Sequence, residues 1–107
     1  MRAPGDATSA LLRAIVGRFP DHRIVVEEIR SRSWASATFN GSRHELSLRV
    51  EGDGADGAAD RFLGGLEGTE FEMRGHIMAD IALVSEGRRD GGACVTICLE
   101  ALTVADD

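Results

Sequence analysis

The sequence contains no lysine and no tyrosine, and it holds only two prolines, two cysteines and one tryptophan in 107 residues. Without lysine there is neither a Schiff-base nucleophile nor the lysine of a phosphate-binding loop. Arginine supplies every strong base, 12 against 18 acids, and the net charge of -6 disfavours a dedicated polyanion binder, since affinity for nucleic acid rests largely on cations that neutralise phosphates. Arginine in place of lysine, with abundant Ala and Gly, fits a GC-rich bacterial genome. Two cysteines four residues apart in one expected strand are not the framework of a disulfide-dense secreted domain. No apolar run approaches the ~20 residues of a membrane span, so no membrane partner is expected. The stretch Met1 to Ser9 has no continuous apolar core and carries Asp6, so it does not read as a secretory signal, and a cytoplasmic location is expected. Length and a 43% apolar fraction fit a single α+β domain over residues 1–107, enough to bury roughly two-thirds of the unfolded surface.

What is present is patterned. From Asp6 or Thr8 onward, Leu11, Leu12, Ile15, Val16 and Phe19 fall on one helical face; Asp6, Thr8 or Ser9 can cap its start, and Pro20 ends it. His22 to Phe39 alternates as a strand whose parity switches near Glu27 to Ile29, the mark of a bulge or of two strand segments. Asn40-Gly41 is the strongest hairpin signal, because both central residues of a type I′ turn need positive φ. That turn would pair Phe39 with Ser42, Ala37 with His44, Ala35 with Leu46 and Ser33 with Leu48, and would put Phe39, Ala37, Ala35, Leu46, Leu48 and Val50 on the core face. After a Gly- and Asp-rich loop, Asp56 can cap a second helix carrying Ala59, Phe62, Leu63 and Leu66, with Gly68 as its terminator. Thr69 to Val84 is a long alternating run, with Phe71, Met73, Ile77, Ala79, Ile81 and Leu83 at odd positions and a bend at Gly75. Ala93 to Val104 returns as a strand with Val95, Ile97, Leu99 and Ala101 on its odd face.

The order is therefore helix-strand-strand-helix-strand-strand. The expected fold class is α+β, a four-stranded antiparallel sheet with two helices on one face, equivalent to a circular permutation of the ferredoxin-like arrangement. Such a topology carries no function by itself.

His76, Asp80 and Cys98 share the even face if Leu83 pairs with Val95, a set that raises the idea of a thiol nucleophile. In that register Asp80 is about 5 Å from Cys98 but His76 is on the order of 13 Å away, so no catalytic residue is assigned. Cys94 and Cys98 are separated by a similar ~13 Å along a strand. His22, His44 and His76 lack the short paired spacing of metal ligands, and the acids Glu51, Asp53, Asp56 and Asp60 fail the spacing of a calcium loop; neither a metal nor a cofactor is expected. Trp34 with Arg32, Arg43 and Arg49 on one strand face forms a surface able to stack a base or planar ligand, although Glu45 and the net charge weigh against nucleic acid.

The even face of the last hairpin carries Met78, Ala82, Val84, Cys94, Cys98, Leu102 and Val104, interrupted by Asp80, Thr96 and Glu100. A contiguous apolar face of this kind marks an interface or a ligand groove. The expected protein is a non-enzymatic binding or interaction module that forms a homodimer through that face. The alternative is a small-molecule-binding protein or minor enzyme, its pocket at the sheet face or subunit interface, with His76, Asp80 and Glu100 as polar groups.

Overall fold

A computed structural model describes residues 6–106. The first five residues, on which the reading of the N-terminus partly rests, lie outside that range. The elements are α1 (Ala7–Val16), β1 (Arg23–Ala35), β2 (Asn40–Glu51), α2 (Ala55–Leu63), β3 (His76–Arg89) and β4 (Cys94–Ala105), with short 3-10 turns at Leu66–Gly68 and Asp90–Gly92. All neighbouring strands run antiparallel in the order β1-β2-β4-β3, which makes this an α+β fold with β1 and β3 at the edges.

The core follows from strict alternation on the two central strands. Leu46, Leu48 and Val50 of β2 lie opposite Leu99, Ile97 and Val95 of β4, and all six are buried. Leu11 and Ile15 of α1 and Ala55, Ala58, Ala59 and Phe62 of α2 pack into the same cluster, so both helices cover one face. Asp6 caps α1 by accepting a hydrogen bond from the Ser9 amide at 2.7 Å, a contact worth about 1 kcal/mol. The small alanines of α2 bring its axis close to the sheet. Phe62 is flanked by Phe19 at 5.0 Å and Phe71 at 6.4 Å, and the Arg18 guanidinium lies 5.1 Å over Phe71.

Beyond α2, whose N-cap is Gly54 with no side-chain cap from Asp56 and which ends at Gly64 rather than Gly68, three expectations change. The first hairpin does not turn at Asn40-Gly41. Both residues belong to β2, opposite Ala35 and Trp34, and the chain reverses through Ser36 to Phe39, where the Ser36 amide donates to the Phe39 carbonyl at 2.8 Å and the Ser36 hydroxyl accepts from the Phe39 amide at 3.0 Å. Ala35, Ala37 and Phe39 are consequently exposed, Phe39 by 57%, and Ile24 and Ile29 pack against the core in their place. The parity switch in β1 is a bulge between Val26 and Glu28.

The second change concerns the run from Thr69. Residues 69–75 are not strand: Gly75 has φ +76°, a left-handed turn that favours glycine, and β3 starts only at His76. Phe71 and Met73 reach the core from this loop. Third, the last hairpin pairs Leu83 with Leu99 rather than Val95, and β3 carries two further register shifts, between Met78 and Asp80 and between Leu83 and Ser85. The first turns His76 and Met78 to the helix side, whereas Ile77 joins the opposite face. After the second, Arg88 faces the helices and donates to Asp60 of α2 at 2.7 Å.

Gly41 is required by close approach. A Cβ there would sit 2.7 Å from two atoms of the Trp34 ring and collide with the Thr103 carbonyl. Gly41→Ala is expected to cost about 1–3 kcal/mol through overpacking, read as a lower urea midpoint with unchanged far-UV circular dichroism; an unchanged midpoint would show that Trp34 is not seated on Gly41.

Candidate functional site

The face of the sheet turned away from the helices can be read as rows crossing β1, β2, β4 and β3. At one end lie Trp34, Gly41, Val104 and Ile77, followed by Arg32, Arg43, Leu102 and Asp80. The next two rows are Arg30, Glu45, Glu100 and Ala82, then Glu28, Ser47, Cys98 and Ser85, with Val84 at the bulge beside them. An apolar stripe of Val104, Ile77, Leu102, Ala82, Cys98 and Val84 runs along the β4 and β3 side, and no element covers it among the described residues. Ile77 is 51% and Val84 56% exposed.

Two adjacent rows place like charges directly opposite each other. Arg32 is the cross-strand partner of Arg43, and Glu45 that of Glu100. Such pairs destabilise a sheet by a few tenths of a kcal/mol or more. Among the described residues none of these four side chains forms an ion pair, although six ion pairs are made elsewhere. Neighbouring charges are matched instead: Arg30 binds Glu28 at 2.8 Å, and Arg49 binds Glu51 at 2.6 Å and also Glu27. The Arg49 hydrogen bond holds the Glu51 carboxyl below the usual carboxylate range. Between the Glu45–Glu100 row and the Ser47–Cys98 row is a depression of about 340 Å³, edged by Glu28, Arg30 and Val84.

The structure brings some of the expected site residues together and separates others. Arg32, Arg43 and Trp34 do share this face, but Arg49 stands three rows away from Arg43 and is neutralised by its own carboxylates. Trp34 lies on Gly41, and its indole Nε1 is buried without an acceptor among the described residues. Asp80, Val84, Cys98, Glu100 and Leu102 all lie on the open face. Met78 does not; the bulge beside it turns it onto the core, opposite Thr103. His76, Asp80 and Cys98 do not converge, because Asp80 pairs with Leu102, Cys98 with Ser85, and His76 lies on the helix side. The Cys98 thiol donates to the Ser47 hydroxyl at 3.6 Å. Cys94 and Cys98 are both free, and among the described residues no three His, Cys, Asp or Glu side chains are grouped to hold a metal. No helix there is long and apolar enough to cross a membrane.

A second polar cluster escaped sequence reading. His44 is fully buried on the helix side, with Nδ1 2.7 Å from Ser31 Oγ and Nε2 2.9 Å from Thr103 Oγ1, and Thr8 Oγ1 lies 2.8 Å from Ser31 Oγ. Thr103 also donates to the Ser42 carbonyl, at 3.4 Å. One set of donors satisfies the chain: Thr8 donates to Ser31, Ser31 to His44 Nδ1, and His44 Nε2–H to Thr103. A serine hydrogen-bonded to a histidine is the geometry of a nucleophile and its base. Here, however, the far nitrogen meets a neutral hydroxyl that cannot stabilise an imidazolium, and burial, with a smaller effect from His76, pushes the His44 pKa down. The cluster instead satisfies a buried imidazole while joining α1, β1, β2 and β4.

Comparison with protein-family models, with curated proteins and with solved structures gives no match to this chain.

The His44 contribution to stability has a defined sign. Its folded pKa lies below the ordinary value of 6.5, so the unfolded chain takes up the proton first. Stabilisation is complete above about pH 6.5, declines as the pH falls below that, and levels off once the folded imidazole is protonated. Urea unfolding from neutral to mildly acidic pH is expected to show this decline, with a shallower slope in His44→Gln; equal slopes would remove His44 as its source.

Proposed function

We propose that this protein is a non-enzymatic interaction module that associates with a second copy of itself through the open sheet face. The observation that carries this reading is the uncovered apolar stripe of Val104, Ile77, Leu102, Ala82, Cys98 and Val84, beside which Arg32 opposes Arg43 and Glu45 opposes Glu100, none of the four in an ion pair among the described residues. A surface that holds both halves of an ionic contact is suited to an identical partner, and two-fold dimers are the commonest oligomers. Two sheets packed face to face bury their facing side chains in a layer about 10 Å thick. The strand order β1-β2-β4-β3 supports reading the fold as a circularly permuted ferredoxin-like sheet, an architecture with helices on one side and the other side free. A second reading, a small cationic ligand, draws on the carboxylates around the depression near Cys98.

Light scattering over a dilution series tests the proposal. The expected result is a dimer mass for the unaltered protein and a monomer mass for Leu102→Arg and Val84→Glu, with circular dichroism unchanged. A monomer mass for the unaltered protein, or a dimer mass in both variants, would overturn it.

A further inference from the structure

We infer that the cavity between the end of α1 and α2 binds a small zwitterion, a free α-amino acid with an apolar side chain, whose carboxylate meets Arg61 and whose ammonium group meets Asp21. The cavity lies on the helix side of the sheet, so this inference is independent of the dimer proposed for the open face.

Its volume is about 280 Å³. At ~30 Å³ for each water in the liquid, that is room for roughly nine water-sized groups, the scale of a single amino acid. One wall is apolar: Phe19 and Phe62, both buried and with ring centroids 5.0 Å apart, line it together with Pro20 and Ala58. An apolar wall faced by a few polar groups is the usual form of a small-molecule pocket.

The polar groups around the cavity divide into two kinds. Three are already committed to backbone carbonyls. Arg18 donates to the Glu70 carbonyl at 2.8 Å and stacks on Phe71, His22 Nε2 lies 2.9 Å from the Asp53 carbonyl oxygen, and the Thr69 hydroxyl donates to the Gly65 carbonyl at 3.0 Å. The side chains of Arg61 and Asp21, by contrast, make no hydrogen bond or ion pair among the described residues. Two opposite charges therefore line one cavity without meeting, whereas Arg23, Arg30, Arg49 and Arg88 each hold a carboxylate elsewhere.

Arg61 stands in the last turn of α2, where a cation can serve the helix end, but its guanidinium runs the other way. A Cβ at Gly57, one turn back, would lie 3.5 Å from Arg61 Nη1. A ligand of single charge would satisfy one of the two free groups and be repelled by the other. A zwitterion satisfies both, since a guanidinium matches a carboxylate through parallel N–H donors and the Asp21 carboxylate accepts from an ammonium group. Its side chain then lies against Phe19 and Phe62.

Three probes of similar size test this: leucine, isocaproate, which lacks the amine, and isoamylamine, which lacks the carboxylate. Titration of each into the isotope-labelled protein, followed by amide NMR, is expected to give saturable shifts with leucine at Asp21, His22 and Ala58 to Phe62, and binding weaker by roughly tenfold or more with either of the others. Arg61→Gln and Asp21→Asn, both at exposed positions, are expected to leave the fold intact by circular dichroism and to weaken leucine binding by a similar factor. Arg61→Gln should also erase the preference for leucine over isoamylamine, and Asp21→Asn that for leucine over isocaproate. No saturable shift with leucine would overturn the inference. So would isocaproate or isoamylamine binding the unaltered protein as tightly as leucine, or leucine shifts that persist unchanged in both variants. Should a variant not fold, the comparison of the three probes on the unaltered protein decides by itself.

Discussion

The alternation along β4 is the constraint on which the rest of the structure depends. Its odd residues, Val95, Ile97, Leu99, Ala101 and Thr103, are all buried beneath the helices, and the strand pairs with β2 on one side and β3 on the other. A shift of one residue would turn this whole set outward and the open-face residues inward. No bulge interrupts the β2–β4 ladder, whereas β1 has one register shift and β3 two. An extra residue in a central strand would disturb two ladders at once. At an edge it disturbs one, and it also breaks up the row of free backbone groups.

That distinction separates what was legible in the sequence from what was not. The element order, a cap among Asp6, Thr8 and Ser9, the parity switch in β1 and the two faces of β4 all follow from local pattern, and all are present. The first hairpin was misplaced because Asn40-Gly41 carries a strong local turn preference, while Gly41 is held by a distant requirement: room for Trp34 above it and the Thr103 carbonyl beside it. No periodicity reports a contact between residues so far apart in the chain. The odd-position run from Phe71 to Leu83 misled in another way. Its apolar residues do serve the core in part, but Phe71 and Met73 arrive from a loop, Ile77 points outward, and Ile81 points inward only because a bulge precedes it.

The candidate site was half legible for the same reason. Asp80, Val84, Cys98, Glu100 and Leu102 were placed on one face by parity, but the bulge between Met78 and Asp80 exchanged Met78 for Ile77 and took His76 away. The opposition of Arg32 to Arg43 and of Glu45 to Glu100 depends on register across three strands, which parity alone does not specify. The buried His44 cluster was missed because histidine on a strand gives no sign of whether both ring nitrogens will be satisfied. Its partners come from residues 8, 31 and 103, which only the folded sheet assembles.

The edges and the open face are finished differently, and the contrast bears on the proposed association. Strand β1 is studded with Arg23, Glu27, Glu28, Arg30 and Arg32 and kinked by its bulge, and β3 is interrupted twice; charges and bulges are the features by which sheets avoid edge-to-edge pairing. On the open face the charges are not distributed in that protective way. Arg32 lies opposite Arg43 and Glu45 opposite Glu100 beside an apolar stripe, and these like-charge pairs cost stability within one chain. The edges are thus finished against pairing, while the face is the surface on which the proposed dimer rests.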